Sequence, residues 1–270
     1  MTILRATLPV GLGDLIYAKA LLEPVKHRFE RINLTFNQHL LSTHDANYPA
    51  FIDGLSKILF TGHPYRLIAR NYPHIGATQI ASIYGLTPQK PDLGHLLCKG
   101  MPLNIGSEYI VLTTKIRWLK RHQYHEVRDR FFDLINRLGV KYKVVLLGEK
   151  VVERNEEYQH WGEDEIYGVY QDIVDRVHPD KLLDMTIPAL GITSSDLTQF
   201  QQDCLIMQGA KIVITLGIGG NFSMATAVAN TVGYRRDGDE LADIIYAREY
   251  PTAKITKDWN RFRQILESYL

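Results

Sequence analysis

The chain opens on a strand pattern, Ile3-Leu4-Arg5-Ala6-Thr7-Leu8, that runs into the turn Pro9-Val10-Gly11-Leu12-Gly13-Asp14. Leu15, Ala18, Leu21, Leu22 and Val25 then recur at helical spacing. Ile32 to Phe36 reads as a second strand and Lys57 to Phe60 as a third. After a stretch dense in proline and glycine, at about 86–107, the plan repeats. A strand at Tyr109-Ile110-Val111-Leu112-Thr113 is followed by a basic loop and by a helix with the apolar stripe Val127, Phe131, Leu134 and Leu138. Strand Lys143 to Gly148, an acidic connection and a short strand or loop at Leu182 to Thr186 come next. Ser194-Ser195-Asp196 are caps for a helix with Leu197, Phe200, Cys204 and Met207 on one side. Strand Lys211 to Thr215 feeds a glycine loop, Leu216 to Asn221, and a helix of small residues, Ser223 to Ala229. The last pattern is an amphipathic helix carrying Trp259, Phe262, Leu266 and Tyr269. Strands alternating with helices predict an α/β fold of mainly parallel sheets, in two Rossmann-like halves with a cleft between the carboxyl ends of their strands.

Composition narrows the function classes. The 270 residues, 45% hydrophobic and 23% charged, exclude disorder and a fibrous repeat, and allow one large domain or two small ones. No apolar run approaches the roughly 18 residues of a spanning helix, and the first residues lack a secretory leader pattern, so a cytoplasmic protein without a transmembrane segment is expected. Cys98 and Cys204 lie far apart, outside any CxxC or Cys/His cluster, which leaves them as core thiols and supports neither a disulfide framework nor a metal site. A net charge of +1 speaks against nucleic acid as a partner. Lys and Arg outnumber Asp and Glu by 10 to 6 over residues 1–105, an asymmetry too small to carry an argument.

Candidate chemistry lies in the loops. A glycine-rich turn between a buried strand and a helix leaves backbone N–H groups at the positive end of the helix, where phosphates bind; Gly217, Gly219 and Gly220 fit this use, or serve only as a tight turn. Thr113, Thr114, Lys115, Arg117, Lys120 and Arg121 follow the first strand of the same half and belong on the same sheet edge. Hydroxyls, cations and amides gathered on one edge suit a diphosphate held without a metal; the alternative for the basic run is a solvated loop. The first loop lacks the third glycine of a dinucleotide fingerprint, and its second strand ends in Phe36-Asn37 where an acidic residue belongs, so hydride transfer is disfavoured. No Walker loop is present.

Several of these motifs, in this order, resemble the lipopolysaccharide heptosyltransferase family, glycosyltransferase family 9. They are Gly11-Leu12-Gly13-Asp14, His74 ahead of Ile80-Ala81-Ser82-Ile83-Tyr84-Gly85-Leu86, Thr113-Thr114 followed by Lys120-Arg121, Val144 to Glu149, Asp184-Met185-Thr186, and the glycine loop and helix from Ile212 to Ala229. The resemblance implies a GT-B fold and metal-independent, inverting transfer from a nucleotide sugar. It casts Asp14 as the base, Lys120 as the contact to donor phosphate and Glu149 as the contact to the ribose. Thr113, Thr114, Arg121, Gly217, Gly219, Gly220 and Asn221 complete the donor-side candidates, and Gly13, Tyr17 and His74 stand on the acceptor side. Asp14 has a second reading as a helix cap, Glu149 as a solvated glutamate, His74 as structural and Tyr17 as core.

The expected organisation is an acceptor-side domain over 1–105, a nucleotide-sugar domain over 106–255 and a terminal helix over 256–270 that crosses back to the first. The expected activity is transfer of a sugar from a nucleotide-diphosphate sugar to a glycan or glycolipid, with no cofactor and with peripheral membrane contact open. Two alternatives stand beside it: a sugar-nucleotide epimerase, and a non-catalytic nucleotide-sugar or glycan binder. Thr215-Leu216-Gly217 and Asn221, where the family shows Asp-Thr-Gly and then His, favour the binder, whereas Gly13-Asp14 favours the enzyme.

Overall fold

The computed structural model describes residues 3–8, 22–37, 65–70, 85, 106–117, 119–151, 166–186, 197–217, 225, 226, 228–235 and 253–270. In the first segment β1 (Ile3–Leu8), β2 (Arg31–Asn37) and β3 (Tyr65–Arg70) form a parallel sheet in that order. A short 3-10 helix, Glu23–Arg28, precedes β2. The third strand is one that alternation did not reveal, while the expected strand at 57–60 and the start of the first helix lie outside the described residues.

The second segment holds a larger parallel sheet. Its strands are β4 (Tyr109–Thr113), β6 (Lys143–Leu147), β8 (Leu182–Asp184), β9 (Val213–Leu216), β10 (Thr231–Tyr234) and β11 (Ala253–Thr256). They lie side by side as β8-β6-β4-β9-β10-β11. From β4 the chain steps outward to β6 and β8, then crosses to the other side of β4 for β9, β10 and β11. This is the strand order of a doubly wound nucleotide-binding sheet. A separate antiparallel pair, β5 (Lys115–Arg117) with β7 (Ile166–Gly168), occupies what the sequence presents as a basic loop and an acidic connection.

Alternation along the strands sorts the core onto two faces. Ile110, Leu112, Val144, Leu146, Ile212, Ile214, Leu216, Val232 and Tyr234 pack together with Val127, Phe131, Leu134, Ile135 and Leu138 of α1 (Arg121–Lys141). Val111, Thr113, Val145, Leu147, Val213 and Thr215 are equally buried and point to the other face. On that side α3 (Leu197–Gly209) packs on β4, with the Tyr109 hydroxyl donating to the Ile206 carbonyl at 2.7 Å. Buried Cys204 belongs to α3, and burial pushes its thiol far above the ordinary range, as expected of a core thiol. Helices α2 (Tyr170–Arg176) and α4 (Trp259–Glu267) also lie among the described residues.

Helix α4 corrects the expectation that the terminal stripe crosses back to the first segment. Phe262 and Leu266 are fully buried in the core of the second sheet, and Trp259 and Tyr269 pack against it. The Phe262 ring stacks with Phe131 at 6.4 Å, and Trp259 meets Tyr234 edge-on at 5.4 Å. Polar contacts fix the same placement: Arg137 pairs with Glu267 at 3.0 Å, and the Tyr142 hydroxyl donates to the Tyr269 carbonyl at 2.9 Å. The helix starts where the sequence places it, on Asp258, whose carboxylate accepts the Asn260 N–H at 2.8 Å. The physical reason for its destination is proximity: β11 ends at Thr256 within this sheet, and the apolar stripe buries itself on the nearest uncovered part of the α1 face. Phe262→Ala is therefore expected to destabilise the second segment by about 3–5 kcal/mol in urea unfolding; a loss below about 1 kcal/mol would show the helix to be peripheral.

Candidate functional site

In a doubly wound sheet the ligand crevice opens where strand order reverses, above the carboxyl ends of the two central strands. Here those strands are β4 and β9, ending in Thr113-Thr114 and Leu216-Gly217. Thr113 and Thr114 are buried, and neither hydroxyl has a hydrogen-bond partner. Their backbone is fixed: the Thr114 N–H donates to the Leu147 carbonyl at 3.0 Å, and its carbonyl accepts from Val169 N–H at 2.9 Å. An unmade bond at a buried hydroxyl costs about 1–3 kcal/mol, so two side by side mark an edge suited to an incoming acceptor oxygen.

Gly217 has φ +80°, a conformation that favours glycine. Its N–H donates to the Tyr234 carbonyl at 2.7 Å, and its carbonyl accepts the Thr215 hydroxyl at 3.1 Å. The expectation of an available amide is thus not met at this position, because the β9–β10 ladder continues one residue past the strand. Gly219, Gly220 and Asn221 lie outside the described residues, as do Gly13, Asp14, Tyr17 and His74. Behind the loop, Ala225 and Thr226 are completely buried, which fits a small-residue helix drawn close to its sheet.

The cations divide. Lys115 pairs with Glu149 at 3.8 Å, joining the ends of β4 and β6. Lys120 caps α1, its N–H donating to the Gln123 side-chain carbonyl at 3.0 Å. The Arg121 guanidinium lies over the Tyr167 ring at 4.8 Å, and the Tyr167 hydroxyl donates to the Leu119 carbonyl at 2.7 Å. The β5–β7 pair holds the backbone of Lys115–Arg117, while the residues Lys115 and Arg121 themselves are exposed.

Gly148, at φ +113°, turns the chain after β6 and presents Glu149 and Lys150 at the edge. Lys150 reaches Asp184 at 3.4 Å, and Asp184 also accepts the Tyr170 hydroxyl at 2.7 Å and the Thr186 N–H at 2.9 Å. Sequence reasoning did not foresee this cluster; its signal is the Asp-x-Thr spacing of a local side-chain turn. Burial alone would raise the Asp184 carboxyl, but the Thr186 and Tyr170 hydrogen bonds and the Lys150 charge outweigh it and hold the group below its ordinary 3.8. A depressed carboxyl stabilises the fold above its unfolded value and loses that contribution as pH falls through the folded one. Asp184→Asn should accordingly cost about 1 kcal/mol at pH 7 by chemical denaturation, and the gap to the parent should close as pH drops below 3.8. A gap that persists at low pH would assign the loss to packing.

Among the described residues no cluster of His, Cys, Asp or Glu could hold a metal, and no helix is long and apolar enough to cross a membrane. No protein-family model and no curated protein matches the chain. Solved structures do. The Escherichia coli heptosyltransferase WaaC with ADP aligns over 99% of this chain and 100% of its own, at 10% identity and a TM-score of 0.51. A glycosyl transferase family 9 protein from Veillonella parvula DSM 2008 aligns over 98% of this chain and 88% of its own, at 12% identity and a TM-score of 0.51. This chain has the α/β, GT-B-like fold of these glycosyltransferases. It spans 58% of the length of a further match, the iron-containing dodecameric heptosyltransferase TibC, at 16% identity over 87% of this chain and a TM-score of 0.46.

Proposed function

We propose that the chain is a glycosyltransferase related to the family 9 heptosyltransferases, transferring a sugar from a nucleotide-diphosphate donor to a glycan or glycolipid acceptor, without a metal and with inversion. The observation that carries the reading is the end-to-end likeness to WaaC, whose structure holds ADP, combined with two unpartnered buried hydroxyls at the switch point of this chain's own sheet. The proposed organisation is an acceptor-side unit over 1–105 and a donor-side unit over 106–255, facing across a cleft, in a cytoplasmic protein that meets membranes only peripherally.

In this reading Asp14 removes the proton from an acceptor hydroxyl, whose oxygen attacks the anomeric carbon of the donor. The bond to the diphosphate breaks with its electrons going to the phosphate oxygen. Lys120, Arg121 and the hydroxyls of Thr113 and Thr114 stabilise the departing charge, and Glu149 meets the ribose. Gly217 supplies the tight turn, with Gly219, Gly220 and Asn221 forming the phosphate side of the loop. Gly13, Tyr17 and His74 line the acceptor side.

Two substitutions test the assignments. Asp14→Asn keeps a helix cap while removing a base, so folding and donor binding should stay near normal while transfer falls at least about a hundredfold. Activity within a few-fold of the parent would end the base assignment. Lys120→Met should weaken nucleoside diphosphate about ten- to a hundredfold in calorimetry, leaving the nucleoside itself little changed; equal loss for both would point to misfolding.

A second reading, a binder without catalysis, is favoured by Thr215 in place of the family's aspartate and by the engaged amide of Gly217. Slow release of nucleoside diphosphate from a donor sugar, in the absence of acceptor, separates the two: a catalyst releases it, whereas a binder is only thermally stabilised.

A further inference from the structure

We propose that Lys115 is a positioning residue for the donor nucleoside: its ammonium holds the Glu149 carboxylate toward the crevice, in place to accept the ribose hydroxyls. The inference rests on the reading of Glu149 as the ribose contact. It gives Lys115 a role that its place in the basic run, as one more cation for phosphate, does not suggest.

The backbone brings the two residues together. The Thr114 N–H donates to the Leu147 carbonyl at 3.0 Å, so the chain leaves β4 level with the end of β6. Lys115 is then fixed at the start of β5, opposite Gly168 of β7. Gly148, at φ +113°, turns the chain after β6 and sets Glu149 at the same edge. The Lys115 Nζ and the Glu149 Oε1 stand 3.8 Å apart. A second lysine, Lys150, follows Glu149 directly, and it is committed elsewhere. Its Nζ lies 3.4 Å from the Asp184 Oδ2 and 5.4 Å from the centroid of the Tyr170 ring. Asp184 belongs to β8, on the far side of β6 from β4. Lys150 is thus drawn outward, whereas Glu149 is drawn inward, toward the crevice above β4 and β9.

Among the described residues Lys115 is the one ion-pair partner of Glu149, and no hydrogen bond takes the carboxylate's second oxygen. An ammonium only donates, so it holds one oxygen and leaves the other to accept from a diol. The side chains are 40% and 28% exposed, and a pair of this kind adds little to the stability of the fold. Its effect is on freedom. Immobilising a flexible side chain when a ligand binds lowers affinity about two- to tenfold, and a carboxylate already held avoids that loss. The pair also offsets the glutamate's charge, so that a carboxylate can stand beside a diphosphate with little repulsion.

The test titrates the whole chain with ADP, the nucleotide held in the WaaC structure, with 2′,3′-dideoxy-ADP and with inorganic pyrophosphate. The two nucleotides carry the same charge, so the ratio of their affinities is blind to the general loss of a cation. The parent should prefer ADP by about ten- to a hundredfold, and Glu149→Ala should abolish the preference. Lys115→Met should cut the preference about two- to tenfold, and Lys115→Arg should keep it. Lys115→Met added to Glu149→Ala should change it no further. If Lys115→Met leaves the parental ratio while Glu149→Ala abolishes it, the inference is overturned and the ribose reading stands. A Lys115→Met variant that weakens pyrophosphate as much as ADP, at an unchanged ratio, overturns it too and assigns the lysine to phosphate. Should Lys115→Met not fold by circular dichroism, Lys115→Gln is read in its place. A parent that does not bind ADP or binds both nucleotides alike, or a Glu149→Ala variant with the parental ratio, removes the ribose reading and the inference together.

Discussion

Strand β4 is hydrogen-bonded along both edges and covered on both faces, and the second segment is organised around that double burial. All five of its residues are buried, β6 pairs with one edge and β9 with the other, and the Lys211 N–H closes onto the Tyr109 carbonyl at 2.8 Å where β9 joins. A parallel strand in this position has no solvent face, so its sequence is a continuous apolar run and its polar side chains can collect only at the carboxyl end. Thr113 and Thr114 occupy that end. The topology that buries β4 also reverses strand order beside it, so the place where hydroxyls are tolerated is the place where a crevice opens.

The helices serve that strand unequally. Helix α1 covers the center of one face, and α4 closes the part of it that α1 leaves over β10, joined to α1 by the Phe131–Phe262 stack. Arg130 over Trp259, at 5.3 Å, and the Arg137–Glu267 pair edge this contact. Exposed ion pairs of this kind contribute little on their own. The aromatic burial carries the energy, and the charges fix orientation.

Around the crevice, charge is graded by depth. Lys115–Glu149 and Lys150–Asp184 are partly exposed pairs that tie β4, β6 and β8 together at their ends. Arg235, directly after β10, is wholly buried. The exposed pairs at the rim are screened by water, whereas a buried charge is felt through a medium of low polarisability.

Most of the second segment was legible because its period is strong: the apolar runs of β4, β6 and β9 and the stripes of α1, α3 and α4 are local facts of the chain. The short strands β10 and β11 were not, since Gly233 and Lys254 break alternation and their pairing comes from distant residues. For the site, Thr113, Thr114, Lys120 and Glu149 could be read from position after a strand. The burial of Arg235 could not, because the strands beside it, β9 and β11, are distant in the chain. The amide of Gly217 was misjudged for the same reason, its acceptor lying in another strand. The sequence by itself determined which segments form strands and helices, through side-chain period. Tertiary structure alone decided which polar groups leave water and where the terminal helix docks, because burial and strand pairing join residues that the chain holds far apart.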